Sequence, residues 1–326
     1  MIDTKELCRG DRRVLARAIT LLESKRRDDQ DRASELVQRL LPHSGNSIRI
    51  GLTGVPGAGK SSLIEVLGNH VIERGHRIAV LAVDSSSSIS GGSILGDKTR
   101  METLATNPNA FIRPTPAGST LGGVARQTRE SIVLCEAAGF DVIIVETVGV
   151  GQSETLVSEM TDMFLLLLIP GGGDELQGIK RGIMEIADMV VVNKADGDLV
   201  SHAHRTAADA RQALHLMKPR HSNWQVPVLT ASAREQVNVK EIWNKIEKYR
   251  RVFRESGELD LQRNHQALNW LWMEASELLL MALKENREAR EWIDQVEAQV
   301  RNGQVPPSGA ARRLVSAFLE SKGRDG

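Results

Sequence analysis

The chain has 326 residues, enough for one large α/β domain with helical additions or for two modest domains. Its 42 Lys and Arg balance 42 Asp and Glu, so the formal charge is zero, and aromatic residues make up only 3%. A nucleic-acid binder of this size is expected to show a basic excess and stacking aromatics, so no nucleic-acid partner is expected.

The stretch from Met1 to Arg13 is charged and lacks an apolar core, so no secretory signal is expected. Residues 3–41 read as helices. Val14, Leu15, Ala18, Ile19 and Leu22, then Leu36, Val37, Leu40 and Leu41, recur at helical spacing on either side of a charged break over 25–31. Pro42-His43-Ser44-Gly45-Asn46 closes this section.

From 47 to about 232, apolar runs alternate with amphipathic helical patterns. The runs fall at 48–53, 78–83, 110–113, 142–146, 163–169, 189–193 and 226–230. The helical stretches fall at 61–74, 96–106, 122–138, 155–162, 178–187 and 203–216. Such alternation predicts a mostly parallel, doubly wound sheet, with ligands at the carboxyl ends of the strands. The longest apolar run, 163–169, is too short to cross a bilayer, so no membrane partner is expected. Cys8 and Cys135 show neither pairing nor metal spacing and read as reduced thiols of a cytoplasmic protein.

Beyond 238 the chain reads as helical again, at 241–254, as one long helix over 259–301, and at 310–319. An apolar stripe of Leu268, Leu271, Trp272, Ala275, Leu278 and Leu279 runs along the long helix. The expected organisation is a helical segment at 1–46, a P-loop domain at 47–238 and a helical arm at 239–326.

Directly behind the first strand stands Gly54-Val55-Pro56-Gly57-Ala58-Gly59-Lys60-Ser61-Ser62. Two glycines bracketing four residues and followed by Lys-Ser form a P-loop. Its glycines let backbone N–H groups point at a phosphate chain. Lys60 would reach the β/γ-phosphates and the Ser61 hydroxyl would hold Mg²⁺. The following helix aims its positive N-terminal end at the same anion.

After the strand at 189–193 comes Asn193-Lys194-Ala195-Asp196. A carboxylate at Asp196 can accept from both N1–H and the 2-amino group of guanine, a pairing adenine cannot offer. Ala231-Ser232-Ala233, after the next strand, fits a loop lying against guanine O6. The expected ligands are therefore GTP and GDP.

Glu146-Thr147-Val148-Gly149 fits a γ-phosphate sensor, with the Gly149 N–H toward the phosphate and Glu146 toward Mg²⁺. No Gln follows Gly149 immediately, so slow intrinsic hydrolysis is expected. Asp84 ends the second strand before four serines, and Asp97 sits in a glycine-rich segment. Both are candidates for Mg²⁺ or water positioning, with helix capping as the alternative. The segment from Gly171 to Gly182 is either a loose turn or a switch that orders against a partner. His202, His204, His215 and His221 read as surface residues, and Trp270 and Trp272 as core or interface residues.

These motifs together resemble the MeaB/ArgK family, the G-protein chaperones of adenosylcobalamin-dependent acyl-CoA mutases. The resemblance rests on the P-loop, Val83-Asp84 with its serine run, Gly91 to Met101, Glu146 to Glu154, Gly171 to Gly182 and Asn193 to Asp196. It covers nearly the whole chain. It implies a GTPase that gates cofactor loading and reactivation of a mutase acting on methylmalonyl-CoA, isobutyryl-CoA or 2-hydroxyisobutyryl-CoA. It also implies a homodimer formed through the C-terminal arm and a mutase contact through the switch loops, including 171–182. Ser61, Asp84, Asp97 and Glu146 would take the Mg²⁺ and hydrolysis roles; no cobalamin site is assigned in this chain. Family members read Asp-Pro-Ser-Ser-Pro where Asp84-Ser85-Ser86-Ser87-Ser88 stands here, which loosens the first switch. The alternatives are a nickel-insertion GTPase, for which Cys8 and Cys135 lack suitable neighbours, and a small-molecule kinase, which has no need of Asn193-Lys194-Ala195-Asp196.

Overall fold

The computed structural model describes residues 2–83, 101–115, 121–147, 153–171 and 181–322. The chain forms two compact units, Met1–Gln266 and Ala267–Gly326.

The first unit is built on seven parallel strands: β1 (Ile48–Gly54), β2 (Ile78–Val83), β3 (Ala110–Thr115), β4 (Val142–Thr147), β5 (Met163–Leu168), β6 (Met189–Val192) and β7 (Val228–Thr230). Their order is β3-β2-β4-β1-β5-β6-β7, so β1 is central and the chain winds outward from it in both directions. Every residue of β2, β4, β5 and β6 is buried, as expected for strands covered on both faces. The expected doubly wound sheet is present.

Alternate residues of each strand feed two separate cores. On one face Ile50, Leu52, Val80, Ile144 and Leu165 pack with α4 (Lys60–Ile72) and α10 (Val239–Glu255). The short α5 (Glu102–Thr106) joins them through Leu104. On the other face Ala79, Leu81, Ile143, Val145 and Leu166 pack with α6 (Leu121–Ala137), α7 (Ser153–Ser158), α8 (Arg181–Ile186) and α9 (Val200–His215).

The N-terminal helices α1 (Thr4–Cys8), α2 (Arg12–Leu22) and α3 (Arg27–Leu40) belong to the second of these cores. Asp11 caps α2, its carboxylate accepting from the Arg13 and Val14 amides at 2.8 and 3.0 Å. Those amide bonds hold the Asp11 carboxyl below its ordinary pKa. The α2 apolar stripe then drops onto α6, and Glu23 pairs with Arg113 of β3.

The helix expected over 259–301 is two helices, α11 (Glu258–Glu285) and α12 (Arg287–Arg301), parted at Asn286. Asparagine competes for backbone hydrogen bonds and favours helix ends over interiors, which accounts for a break that apolar periodicity alone does not reveal. In the second unit, α12 packs against α13 (Pro307–Lys322). Trp272 is 71% exposed, so the core alternative for that residue is excluded, while Trp270 is half-buried. No helix among the described residues is long and apolar enough to cross a membrane.

Away from the ligand edge, at the starts of the strands, two buried ion pairs tie the first unit together. Glu136 accepts Arg49 Nε and one of its terminal nitrogens at 2.8 and 2.9 Å, together with the Ser47 hydroxyl at 2.6 Å. Asp162, fully buried, takes Arg263 of α11 in a bidentate pair at 2.7 Å. Arg263 also donates to the Gly45 and Ser47 carbonyls.

Candidate nucleotide site

The P-loop leaves β1 at Gly54 and enters α4 at Lys60, with Gly59 as N-cap at φ +87°. Two of its glycines are sterically required. A Cβ on Gly54 would lie 2.4 Å from the Leu167 carbonyl, and one on Gly59 would lie 2.5 Å from Asn193 Nδ2, besides needing a left-handed backbone. Pro56, Gly57 and Ser62 are exposed, while Ala58, Lys60 and Ser61 are buried. Lys60 Nζ donates to the Gly54 carbonyl at 2.9 Å and to Val55 at 3.4 Å, which holds the ammonium against the start of the loop.

Register aligns the second element of the site. Leu52 of β1 pairs with Glu146 of β4, so Glu146 shares a sheet face with Leu52 and points toward α4. There the Ser61 hydroxyl donates to Glu146 Oε1 at 3.3 Å, with both residues buried. A hydroxyl and a carboxylate oxygen side by side at a helix N-terminus suit a hard divalent cation, which takes oxygen ligands. The Mg²⁺ reading therefore fits the donors present at Ser61 and Glu146.

The Asn193-to-Asp196 segment follows β6. Asn193 is 1% exposed and spans two loops, its Nδ2 donating to the Ala58 carbonyl at 2.8 Å while its Oδ1 accepts from the Ala233 amide at 3.1 Å. Lys194 is exposed and takes a left-handed backbone, φ +59°. That turn leaves Asp196 half-buried, with Oδ2 accepting from the Ser232 hydroxyl. The Ala231 and Ser232 amides donate to the Val192 and Val237 carbonyls. The tetrapeptide thus both displays Asp196 and locks the P-loop to the loop after β7; the second task gave no signal in the sequence.

Sequence reasoning also missed Thr53 and Thr147, two fully buried threonines whose hydroxyls meet at 2.8 Å. The position of Thr147, directly after Glu146, was the available signal. Asp84, Asp97, Gly149 and residues 172–180 lie outside the described residues. His202, His204 and His215 are exposed, but His221 departs from the surface reading. Its ring packs edge-on to Phe253 with centroids 4.7 Å apart, and its Nε2 lies 3.3 Å from the buried Asp188. Among the described residues no group of three or more His, Cys, Asp or Glu is arranged to hold a metal.

Relatives bear on this geometry. A putative GTPase of Caulobacter vibrioides is 54% identical over 319 residues, covering 97% of this chain and 98% of that protein. The mouse mitochondrial methylmalonic aciduria type A homolog is 47% identical over 96% of this chain and 78% of its own length. Among solved structures, the crystal structure of an LAO/AO transport system kinase is similar with a TM-score of 0.77 and 38% identity, covering 97% of this chain and 96% of that one. The model of the methylmalonyl Co-A mutase-associated GTPase MeaB matches residues 15–288, which include the P-loop, β4 and the whole Asn193-to-Asp196 segment. With the phosphate loop, the Ser61–Glu146 contact and the Asn193 bridge on one sheet edge, the chain belongs to the MeaB family of GTPases.

Proposed function

We propose that this GTPase couples GTP hydrolysis to adenosylcobalamin loading and reactivation of an acyl-CoA mutase. The observation that carries the site reading is the Ser61–Glu146 contact beside the Asn193 bridge. These contacts join the carboxyl ends of β4, β1 and β6, which supports placing the metal, phosphate and base contacts there. Glu146 and Ser61, with Asp84 and Asp97, would hold Mg²⁺, which neutralises charge on the β/γ-phosphates when bound. Lys60 and the P-loop amides of Gly54 to Ser62 bind the phosphates. Gly149 contacts the γ-phosphate. Asp196, with Asn193 and Lys194, selects guanine, flanked by Ala231, Ser232 and Ala233.

The mutase reading is supported by the matching family's name and by the resemblance of the 171–182 segment to the family's partner-sensing switch. The homodimer reading is supported by the exposed Leu268, Leu271, Trp272, Leu278 and Leu279 on α11. The protein is proposed to act in the cytoplasm. Residues 1–46 would form an N-terminal helical segment, 47–238 the P-loop GTPase domain and 239–326 the dimerisation arm.

The test is GTP turnover by purified protein, alone and with each candidate mutase. Slow turnover alone and acceleration by one cognate mutase are expected. Turnover unchanged by every adenosylcobalamin-dependent acyl-CoA mutase would remove the chaperone reading. The likeness to the crystal structure of an LAO/AO transport system kinase raises a kinase as the alternative. Transfer of the γ-phosphate to a small molecule instead of water would favour it.

A further inference from the structure

The backbone pairing of β1 with β4 runs up to Leu52 and Glu146. One residue further, at the point where both strands leave the sheet, the seam is closed by side chains. Thr147 Oγ1 donates to Thr53 Oγ1 at 2.8 Å, and both residues are fully buried. The two threonines lie on the face opposite Glu146, the face on which α7 packs so closely that a Cβ on Gly51 would lie 2.9 Å from Val157. The β1–β4 seam is therefore bracketed, with Ser61 on Glu146 on one side and hydroxyl on hydroxyl on the other.

Thr147 also continues the ladder toward β2, where it is in register with Val83. On the far side, Thr53 is in register with Leu166 of β5. A single row across the sheet thus runs Val83, Thr147, Thr53, Leu166. The next residue along the chain from each of the first three is Asp84, Val148 and Gly54. Three segments assigned to metal, γ-phosphate and phosphate binding all depart from this row.

We propose that the Thr53–Thr147 hydroxyl pair is a positioning device for GTP hydrolysis. It fixes the lateral distance between the P-loop and the segment leading to Gly149. The γ-phosphate held by one is thereby met at the right place by the other. A van der Waals contact between two valines would fill the same space without a directional bond, so shape alone does not account for paired hydroxyls in a dry seam. Misplacement by a fraction of an ångström is costly in a reaction catalysed chiefly by positioning and charge. This inference rests on the assignment of Glu146 and Gly149 to the γ-phosphate end of the site.

The experiment compares Thr147→Val, Thr147→Ser, Thr53→Val and the double valine variant for kcat, KM, melting temperature and the affinity ratio of a non-hydrolysable GTP analogue to GDP. Thr147→Val is expected to lower kcat about tenfold, equivalent to about 1.4 kcal/mol of barrier, with KM within about twofold because base and P-loop contacts lie elsewhere. The affinity ratio should fall with kcat, and Thr147→Ser should restore both. The double valine variant leaves no buried hydroxyl unpaired, so its melting temperature should return toward that of the parent while kcat stays low. Recovery of kcat together with melting temperature in the double variant, or failure of Thr147→Ser to restore kcat, would overturn the proposal. Should the parent protein bind analogue and GDP equally, it is the γ-phosphate assignment that fails. That outcome is visible before any variant is compared.

Discussion

Asn193 Nδ2 donates to the Ala58 carbonyl at 2.8 Å, so a residue of the segment after β6 is also a strut of the phosphate loop. Its Oδ1 takes the Ala233 amide, and a Cβ on Gly59 would collide with its amide nitrogen. One side chain therefore holds three loops in one arrangement, which links the strand ends of β1, β6 and β7.

Asn193→Ala should strip partners from two buried backbone groups and destabilise the protein by about 2–6 kcal/mol, each orphaned group costing about 1–3 kcal/mol. Asn193→Asp keeps the acceptor for Ala233 but places an oxygen against the Ala58 carbonyl. It should therefore be at least as damaging as alanine. Denaturant unfolding of the three proteins checks this ordering; an aspartate variant as stable as the parent would contradict it.

Asp196→Asn replaces one acceptor oxygen by a donor. Loss of a charged hydrogen bond of about 1.5–3 kcal/mol should weaken GTP by about 10- to 100-fold. Xanthosine triphosphate, which carries a carbonyl in place of the 2-amino group, should bind the variant better than the parent. Fluorescence titration with both nucleotides decides it, and an unchanged preference for GTP would mean that Asp196 does not read the base.

Removing Arg263 takes the bidentate partner from the fully buried Asp162 side chain. Arg263→Met is expected to cost about 3–5 kcal/mol, as for other broken buried pairs, and adding Asp162→Asn should return part of it. The pair joins α11 to the residues before β5, so its loss should loosen hydrogen-exchange protection around Ser158–Asp162. Gln262 and Gln266 bind carbonyls there as well.

Burial raises the Glu136 pKa, but the hydrogen bonds and charge of Arg49, with Ser47 and the Gly45 amide, outweigh it and leave the group below its ordinary value. The folded state therefore holds the proton more weakly than the unfolded chain. The stabilisation is complete above the unfolded carboxyl value, about pH 4.3, and is lost as pH falls through the lower folded value. Glu136→Gln should flatten the acid limb of a stability-versus-pH curve. A parent and variant with parallel curves from pH 3 to 6 would show that this group does not contribute.

Much of the site was legible because local chemistry dictates it. Phosphate binding needs glycines where a backbone must curl, and here Gly54 and Gly59 face a carbonyl and an amide too close for any Cβ. The seven apolar runs likewise announced a buried parallel sheet, since strands covered on both faces need no alternation. The split at Asn286 escaped because the apolar stripe of one helix continues in phase across it. His221 escaped because its partners, Asp188 and Phe253, are distant in sequence.

Composition, periodicity and motif spacing by themselves determined the fold class and the place of the phosphate loop behind β1, and they nominated Asp196, Ser61 and Glu146 for the base and metal roles proposed above. Tertiary structure alone decided what those residues lean on: Asn193 on Ala58, Glu146 on Ser61, Thr147 on Thr53, Arg263 on Asp162. The reason is that a motif is a run of neighbours along the chain, whereas each of these contacts joins residues far apart in sequence, brought together by strand order, register and the helices laid against the sheet. Once β1 lies between β4 and β5, a one-residue shift in either pairing would turn every one of those strands' partners to the wrong face.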